Sequence, residues 1–290
     1  MPARTGALII AYHPDQGQIE ALCERIAPQV DRVLIIDNSE PPAGLEPADA
    51  RVIEPGTNLG VGEAINLGVS QLIADDCGQV LLLDQDSRPA SDMVARLLHC
   101  LQQSKARGER VAAVGPVIRD QASGEDAPFV RFALPFNRHL RQRQGAVACD
   151  FLITSGTLID LECWPSVGPM RGAWFIDSID MEWCFRARRA GFTVLGCFDT
   201  WLEHAIGQRQ YALPGQRLAF RHHGPERLYT MMRNRVFLYR SQAPVAWVIQ
   251  DLLRAAAKLA WFSLLVPPRW RNTRAMLRGL REGLLTRPVP

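Results

Sequence analysis

The chain has 290 residues, of which 47% are hydrophobic and 22% charged, with a formal net charge of +3; that is enough apolar material for a large folded core and excludes a disordered or low-complexity chain. No apolar run reaches the roughly 18 residues that span a bilayer, and the first apolar run is too short for a secretion signal, so a cytoplasmic location is expected. Seven scattered cysteines without a Cys-x-x-Cys pair exclude a disulfide framework and a zinc knuckle. The charge is unevenly spread: residues 201–290 hold 15 Arg or Lys against 4 Asp or Glu, a local +11, leaving −8 over the first 200 residues. A basic module joined to an acidic one favours an anionic partner, whether phosphate groups, nucleic acid or a membrane surface.

The first half alternates β-rich runs with helical patterns. Residues 7–12 ("ALIIAY") read as a strand, and Ile19, Leu22, Cys23 and Ile26 recur at helical spacing in residues 18–27. A second strand follows at 32–37 ("RVLIID"), a helix at 59–73, a third strand at 79–84 ("QVLLLD") and a helix at 92–105. Alternation at this spacing predicts βαβ units and a mostly parallel sheet, and continuous rather than alternating apolar runs predict strands covered on both faces. In such a sheet ligands bind beyond the carboxyl ends of the strands. Those ends are Tyr12-His13-Pro14, Asp37-Asn38-Ser39 and Asp84-Gln85-Asp86-Ser87, all polar and all on one rim. Asp84 and Asp86 are either a polar turn or a divalent-metal site. The glycine-rich residues 56–68 ("GTNLGVGEAINLG") suit close approach of backbone to a ligand. They do not follow the first strand, as a dinucleotide fingerprint must, and the phosphate-loop spacing is absent.

Residues 120–148 read as a polar, poorly periodic loop carrying Arg131, Arg138, Arg141 and Arg143. An apolar stretch broken by Thr-Ser-Gly at 154–156 leads to residues 174–192, where Asp177, Asp180 and Glu182 precede a helical run ended by Gly191. Acids at a helix start are favoured by the macrodipole; alternatively, one is a general base whose pKa is lifted by Phe175, Ile176, Ile179 and Trp183. Residues 194–208 read as two short strands carrying His204, a packing residue or a second ligand for a metal at Asp86. Residues 222–240 read as a helix with Arg227, Arg233, Asn234 and Arg235 near Tyr229, either a solvated basic face or a phosphate clamp. Residues 244–285 read as two helices broken by "VPPRW". Their Trp, Leu and Arg content suits an interfacial helix on anionic lipid, or a hairpin packed on the domain or on a dimer partner.

The ordered series "AYHP", "DNS", "NLGVGEAINLG", "LLLDQDS", "ITSGTLI", "FIDSIDMEWCFRARRAGF", "LEHAIG" and "ERLYTMMRN" resembles the family 2 inverting glycosyltransferases of GT-A fold, and within them the bacterial rhamnosyltransferase-like group. The resemblance runs over about residues 5–240. It implies an α/β catalytic domain over residues 1–240, with a Rossmann-like, mostly parallel sheet flanked by helices, and a basic C-terminal helical appendage over 241–290. It implies a nucleoside-diphosphate sugar donor held by Ala11, Tyr12, Asp37, Asn58, Gly60, Asn66, Asp84, Gln85 and Arg233. Asp86, with His204, would hold Mg²⁺ or Mn²⁺ across the diphosphate, with oxygen-rich ligation of the kind such hard cations take. Asp180 would be the base, although Ile179 stands where the family has Glu; Trp183, Glu182 and Ser155 would meet the acceptor. The expected reaction moves L-rhamnose from dTDP-rhamnose to a growing cell-surface glycan or lipid-linked acceptor. UDP-hexose or UDP-galactofuranose transfer is the alternative, and a nucleotide-sugar-binding scaffold with an inactive site the non-enzymatic one. Peripheral contact with the cytoplasmic face of the inner membrane and a homodimer are further expectations; a nucleic-acid partner is not expected.

Overall fold

The computed structural model describes residues 3–204, 211–212, 219–220, 223–241 and 243–287. In chain order the elements are β1 (Arg4–Ala11), α1 (Gln16–Ile26), β2 (Arg32–Asp37), β3 (Arg51–Ile53), α2 (Val61–Ala74), β4 (Cys77–Asp84), β5 (Arg88–Pro89), α3 (Met93–Ala106) and β6 (Val111–Asp120). Then come β7 (Phe129–Arg131), β8 (Arg138–Leu140), β9 (Ala146–Cys149), β10 (Leu158–Asp160), α4 (Trp164–Val167), α5 (Ile179–Arg189) and β11 (Thr193–His204). The chain continues through β12 (Tyr211–Ala212), β13 (Ala219–Phe220), α6 (Pro225–Tyr239), α7 (Val245–Leu264) and α8 (Arg269–Leu285).

The main sheet has the order β3-β2-β1-β4-β10-β6-β11-β5, with β9 also paired to β11. β1 pairs in parallel with β2 and β4, β2 with β3, and β11 with β6. β10 runs antiparallel to both neighbours, so the sheet is mixed but mostly parallel. The apolar runs of β1, β2 and β4 serve two cores. Leu8, Ile10, Leu34, Ile36, Val80 and Leu82 face one side, against Ile65, Val69 and Leu72 of α2 and Trp183 of α5. Ala7, Ile9, Val33, Ile35, Leu81 and Leu83 face the other, against Ile19 and Leu22 of α1 and Leu97 and Leu101 of α3. A period of two with both faces apolar is what a doubly covered strand requires.

The structure revises three expectations from the sequence. Residues 120–148 are not a featureless loop: β7 and β8 form an antiparallel hairpin and β9 joins the main sheet, in strands too short and too charged to leave a periodic trace. Residues 193–204 form one strand, whose register to β6 shifts between Cys197 and Trp201, so a bulge interrupts the apolar pattern without ending the strand; residues 205–208 lie outside those described. The helix expected from residue 222 starts at Pro225, and His222 also lies outside the described residues.

The C-terminal helices form a third core around Leu228, Met232, Phe262, Val266 and Met276. α8 lies directly on α6 because Gly279 and Gly283 carry no side chain there. A Cβ on Gly279 would strike the Tyr229 carbonyl, and one on Gly283 would come within 2.9 Å of the Arg233 carbonyl. No described helix is long and apolar enough to cross a membrane.

Candidate active site

β4 ends at Asp84 and turns at once, with the Ser87 amide donating to the Asp84 carbonyl at 3.0 Å. The turn is locked by hydroxyls: the Asp84 amide donates to Ser87 Oγ at 3.1 Å, and Ser87 Oγ lies 2.7 Å from Ser155 Oγ. These bonds leave the carboxylates of Asp84 and Asp86 facing out of the turn. The bulge in β11 delivers His204 to them, its Nδ1 3.3 Å from Asp86 Oδ1 and its Nε2 3.7 Å from Asp84 Oδ2. One ligand atom from each of the three lies within 4.8 Å of the other two. Desolvation and the Asp86 charge push the Asp84 carboxyl up, partly offset by His204. At Asp86, desolvation is outweighed by the hydrogen bond and charge of His204, so its carboxyl is held below the usual range. Two carboxylates and an imidazole on three separate chain positions, open to a cleft, suit a divalent cation that takes most of its remaining ligands from substrate and water.

Asp180 occupies the first turn of α5, its Oδ1 accepting from the Met181 amide at 2.8 Å. Burial, with the charges of Asp177 and Asp84, pushes its carboxyl up to about 6. The chain reaches this position through an unusual loop in which Phe175, Asp177 and Ser178 all have positive φ, at 68°, 66° and 66°. Such conformations cost roughly 1–3 kcal/mol each for non-glycine residues and persist only where the surroundings impose them. Here α6 does so. The Asn234 side-chain amide donates to the carbonyls of Trp174, Ile176 and Asp177, and Arg233 donates to that of Trp174. On the other side, the Val61 amide at the start of α2 donates to the Phe175 carbonyl at 2.6 Å. Gly60 (φ 76°) is required at that contact, since a Cβ would lie 2.7 Å from the same carbonyl oxygen.

Two cavities meet at Asp84, His204 and Arg227. The smaller, of about 460 Å³, is walled by Asp84, Ser155, Asp177 and Asp180 together with apolar residues of β7 and the segment after β9. The larger, of about 970 Å³, is walled by Tyr12, Asn38, Asn58, Gly60, Gln85 and Asp86 on one side and by Tyr229 and Arg278 on the other. Arg227 stands where they meet, donating to Asp177 at 3.0 Å.

The sequence-predicted residues therefore divide. Tyr12, Asn58, Gly60, Asp84, Gln85, Asp86, Ser155, Asp180 and His204 all reach the cleft. Asp37 does not: it is fully buried and both oxygens are occupied by the Ser39 and Ala43 amides, so it shapes the loop after β2. Ala11 is likewise buried, its carbonyl accepting from the Asn38 amide; Asn38 lines the larger cavity but is itself buried, its side chain donating to Asn58 Oδ1 and accepting from the Leu59 amide. Asn66 is bonded to the backbone of Met170 on the far side of α2. Arg233 braces the 173–174 backbone and is not a cleft residue. Trp183 is buried against Trp164 and donates to the Gly168 carbonyl, while Glu182 is buried in ion pairs with Arg171 and Arg186. Both point away from the smaller cavity, because α5 turns only one face to it and that face carries Asp180. Arg278 of α8 has no sequence signal of its own, being one arginine among many in a basic helix.

No protein-family model matches the sequence. The chain is 26% identical over 257 residues to a curated Shigella flexneri protein, dTDP-rhamnosyl transferase RfbF, an alignment covering 85% of this chain and 84% of that one. Its fold matches GalNAc-T7 solved with UDP, GalNAc and Mn²⁺, with a TM-score of 0.61 and 10% identity over 97% of this chain. The match takes in 56% of the GalNAc-T7 chain, so this chain spans little more than half of that protein. It also matches Staphylococcus aureus TarS 1-349 in complex with UDP-GlcNAc, with a TM-score of 0.58 and 12% identity, over 97% of this chain and 80% of that one. The mixed α/β sheet is thus of the GT-A type. The fold is thus shared with these glycosyltransferases, and the sequence is similar to that of a rhamnosyl transferase.

Proposed function

We propose that the chain transfers a sugar, with inversion, from a nucleoside-diphosphate donor to a hydroxyl of a glycan or lipid-linked acceptor. L-Rhamnose from dTDP-rhamnose is the donor that the curated relative's name supports. The observation that carries the reading is the divided cleft: the Asp84–Asp86–His204 group and Asp180 open onto adjoining cavities. Nucleoside and ribose fit the larger cavity, against Tyr12, Asn38 and Asn58, with the diphosphate directed towards Asp86 and His204. A bound Mg²⁺ or Mn²⁺ supplies charge neutralisation to the departing diphosphate. Arg227, at the junction, supplies a fixed positive charge to the same oxygens.

The acceptor enters by the smaller cavity. Asp180 takes the proton from its hydroxyl, the oxygen forms a bond to the anomeric carbon from the face opposite the diphosphate, and the bond to the diphosphate oxygen breaks. One displacement inverts the configuration without a covalent intermediate. A carboxyl lifted to about 6 suits the task, because it is ionised near neutral pH yet more basic than an ordinary aspartate. A donor panel tests the reading. Thermal shift and hydrolysis are scored for dTDP-rhamnose, UDP-hexoses and UDP-galactofuranose, with and without Mn²⁺. Preference for dTDP-rhamnose with metal-dependent hydrolysis is expected, and no response to any sugar nucleotide would refute it. UDP-hexose transfer is the second reading, favoured by the UDP ligands of the two solved neighbours.

A further inference from the structure

Among the described residues, the outer surface of α8 is exposed along much of its length. Its inner stripe, Asn272, Met276, Gly279 and Gly283, is buried, with both glycines packed on α6. The outer stripe, Trp270, Arg274, Leu277, Arg281 and Leu284, recurs every three or four residues along one side of the helix. Trp270, Arg274, Leu277 and Arg281 wall a single shallow groove together with Arg278. The apolar members are far from buried: Trp270 is 75% exposed and Leu284 64%. The end of α7 adds Leu264 at 67% and its C-cap residue Leu265 at 54%. α8 carries five arginines outward-facing or flanking this stripe against one acid, Glu282, which faces Arg233 at 4.0 Å. Among the described residues Arg269, Arg271, Arg274 and Arg281 form no ion pair.

We infer that α8 and the α7–α8 turn are a docking surface for an anionic lipid bilayer, with the helix lying in the plane of the interface. Trp270, Leu264, Leu277 and Leu284 enter the acyl boundary, and the arginines reach the headgroup phosphates. Charge and apolar exposure together select this occupant. A second copy docked face to face would set the arginine row against its own image, at a like-charge cost. A nucleic-acid strand would match the arginines and leave the leucines in water. Only an anionic surface with an apolar interior satisfies both. Arg278, at the edge of the groove, also walls the larger cavity, so docking brings the rim of the donor cavity to the headgroups. The inference stands on exposure and charge and does not depend on the reaction proposed above.

The test is co-sedimentation of the full chain with phosphatidylcholine vesicles, with and without phosphatidylglycerol, at low and high salt. Binding should be about ten-fold or more tighter with phosphatidylglycerol and should weaken with salt. The double variants Arg274→Glu/Arg281→Glu and Trp270→Ser/Leu284→Ser should each lose about ten-fold or more while keeping the thermal midpoint, because all four side chains lie at the surface. Equal partition into both vesicle types, or into neither, would overturn the inference. So would a dimer dispersed by Trp270→Ser/Leu284→Ser without vesicle binding, or tighter binding to single-stranded DNA than to anionic vesicles. Donor hydrolysis by both variants without vesicles keeps this outcome separate from that of the transfer reaction.

Discussion

The side-chain amide of Asn234 donates to the main-chain carbonyl of Ile176 at 2.6 Å, so a fully buried polar group on α6 holds the loop that carries Asp180. Replacing it leaves the carbonyls of Trp174, Ile176 and Asp177 without their shared donor in a loop already at positive φ. Asn234→Leu should lower stability by about 1–3 kcal/mol, read by denaturant unfolding. Turnover should fall more than donor affinity does, because the loop positions Asp180, the proposed base. Equal loss of both would show that Asn234 serves the donor side instead.

Asp180→Asn should reduce turnover by about 10²–10⁴ while leaving donor binding intact, as calorimetry with the donor would report. Loss of donor binding would remove Asp180 from the role of base. The same substitution should stabilise the fold. A carboxyl that titrates at about 6 when folded, against about 3.9 in the unfolded chain, opposes folding once ionised, by about 1–3 kcal/mol above neutral pH. A higher melting temperature alongside lost turnover is the expected signature.

The pH profile follows from the same group. As the proposed base, Asp180 would act only when ionised, so the rate should fall as the pH drops through about 6, with that limb absent from whatever residual activity Asp180→Asn retains. The sign for stability is the reverse. Between about 4 and 6 the folded carboxyl holds its proton and the unfolded one does not, so this residue's contribution to stability diminishes as pH rises through that window.

Asp86→Ala and His204→Ala should each weaken Mn²⁺-dependent donor binding by about ten-fold or more, and chelation should abolish donor hydrolysis by the unaltered chain. Donor binding that is indifferent to Mn²⁺ and to both substitutions would remove the cation from the mechanism.

Gly279→Ala tests whether α8 is part of the catalytic body. Inside a helix this change normally gains about 1 kcal/mol from propensity. Here the added methyl meets the Tyr229 carbonyl, and overpacking of this kind costs about 1–3 kcal/mol. Net destabilisation and a weakened donor response are expected, because α8 walls the cavity proposed to hold the donor.

What the sequence disclosed and what it hid have separate causes. Long apolar strands such as β1 and β4 announce themselves because burial on both faces leaves no polar position, and their polar ends fall where a parallel sheet puts its ligands. Asp84 and Asp86 were expected at the cleft for that reason and Asp180 through the resemblance, and all three line it. Asn66, Arg233, Trp183 and Glu182 do not line the cleft, because a motif fixes composition, whereas helix rotation decides which side chain faces a cleft. Asp37 illustrates a subtler limit: it stands at the right strand end, yet two backbone amides claim its oxygens. The role of Asn234 could not be read at all, since nothing in a helical "RN" reveals three carbonyls from a loop some 58 residues away.

The abutment of Gly60 against Phe175 gives the cleft a mechanical property. One peptide contact separates the backbone that would cradle the nucleotide from the kinked segment that presents the carboxylate. A sugar nucleotide that displaced residues 58–61 would therefore also press on the segment that carries the proposed base. Discrimination among donors would then register as a change in how well the far reactant is activated, and selectivity would be expressed in rate more than in grip.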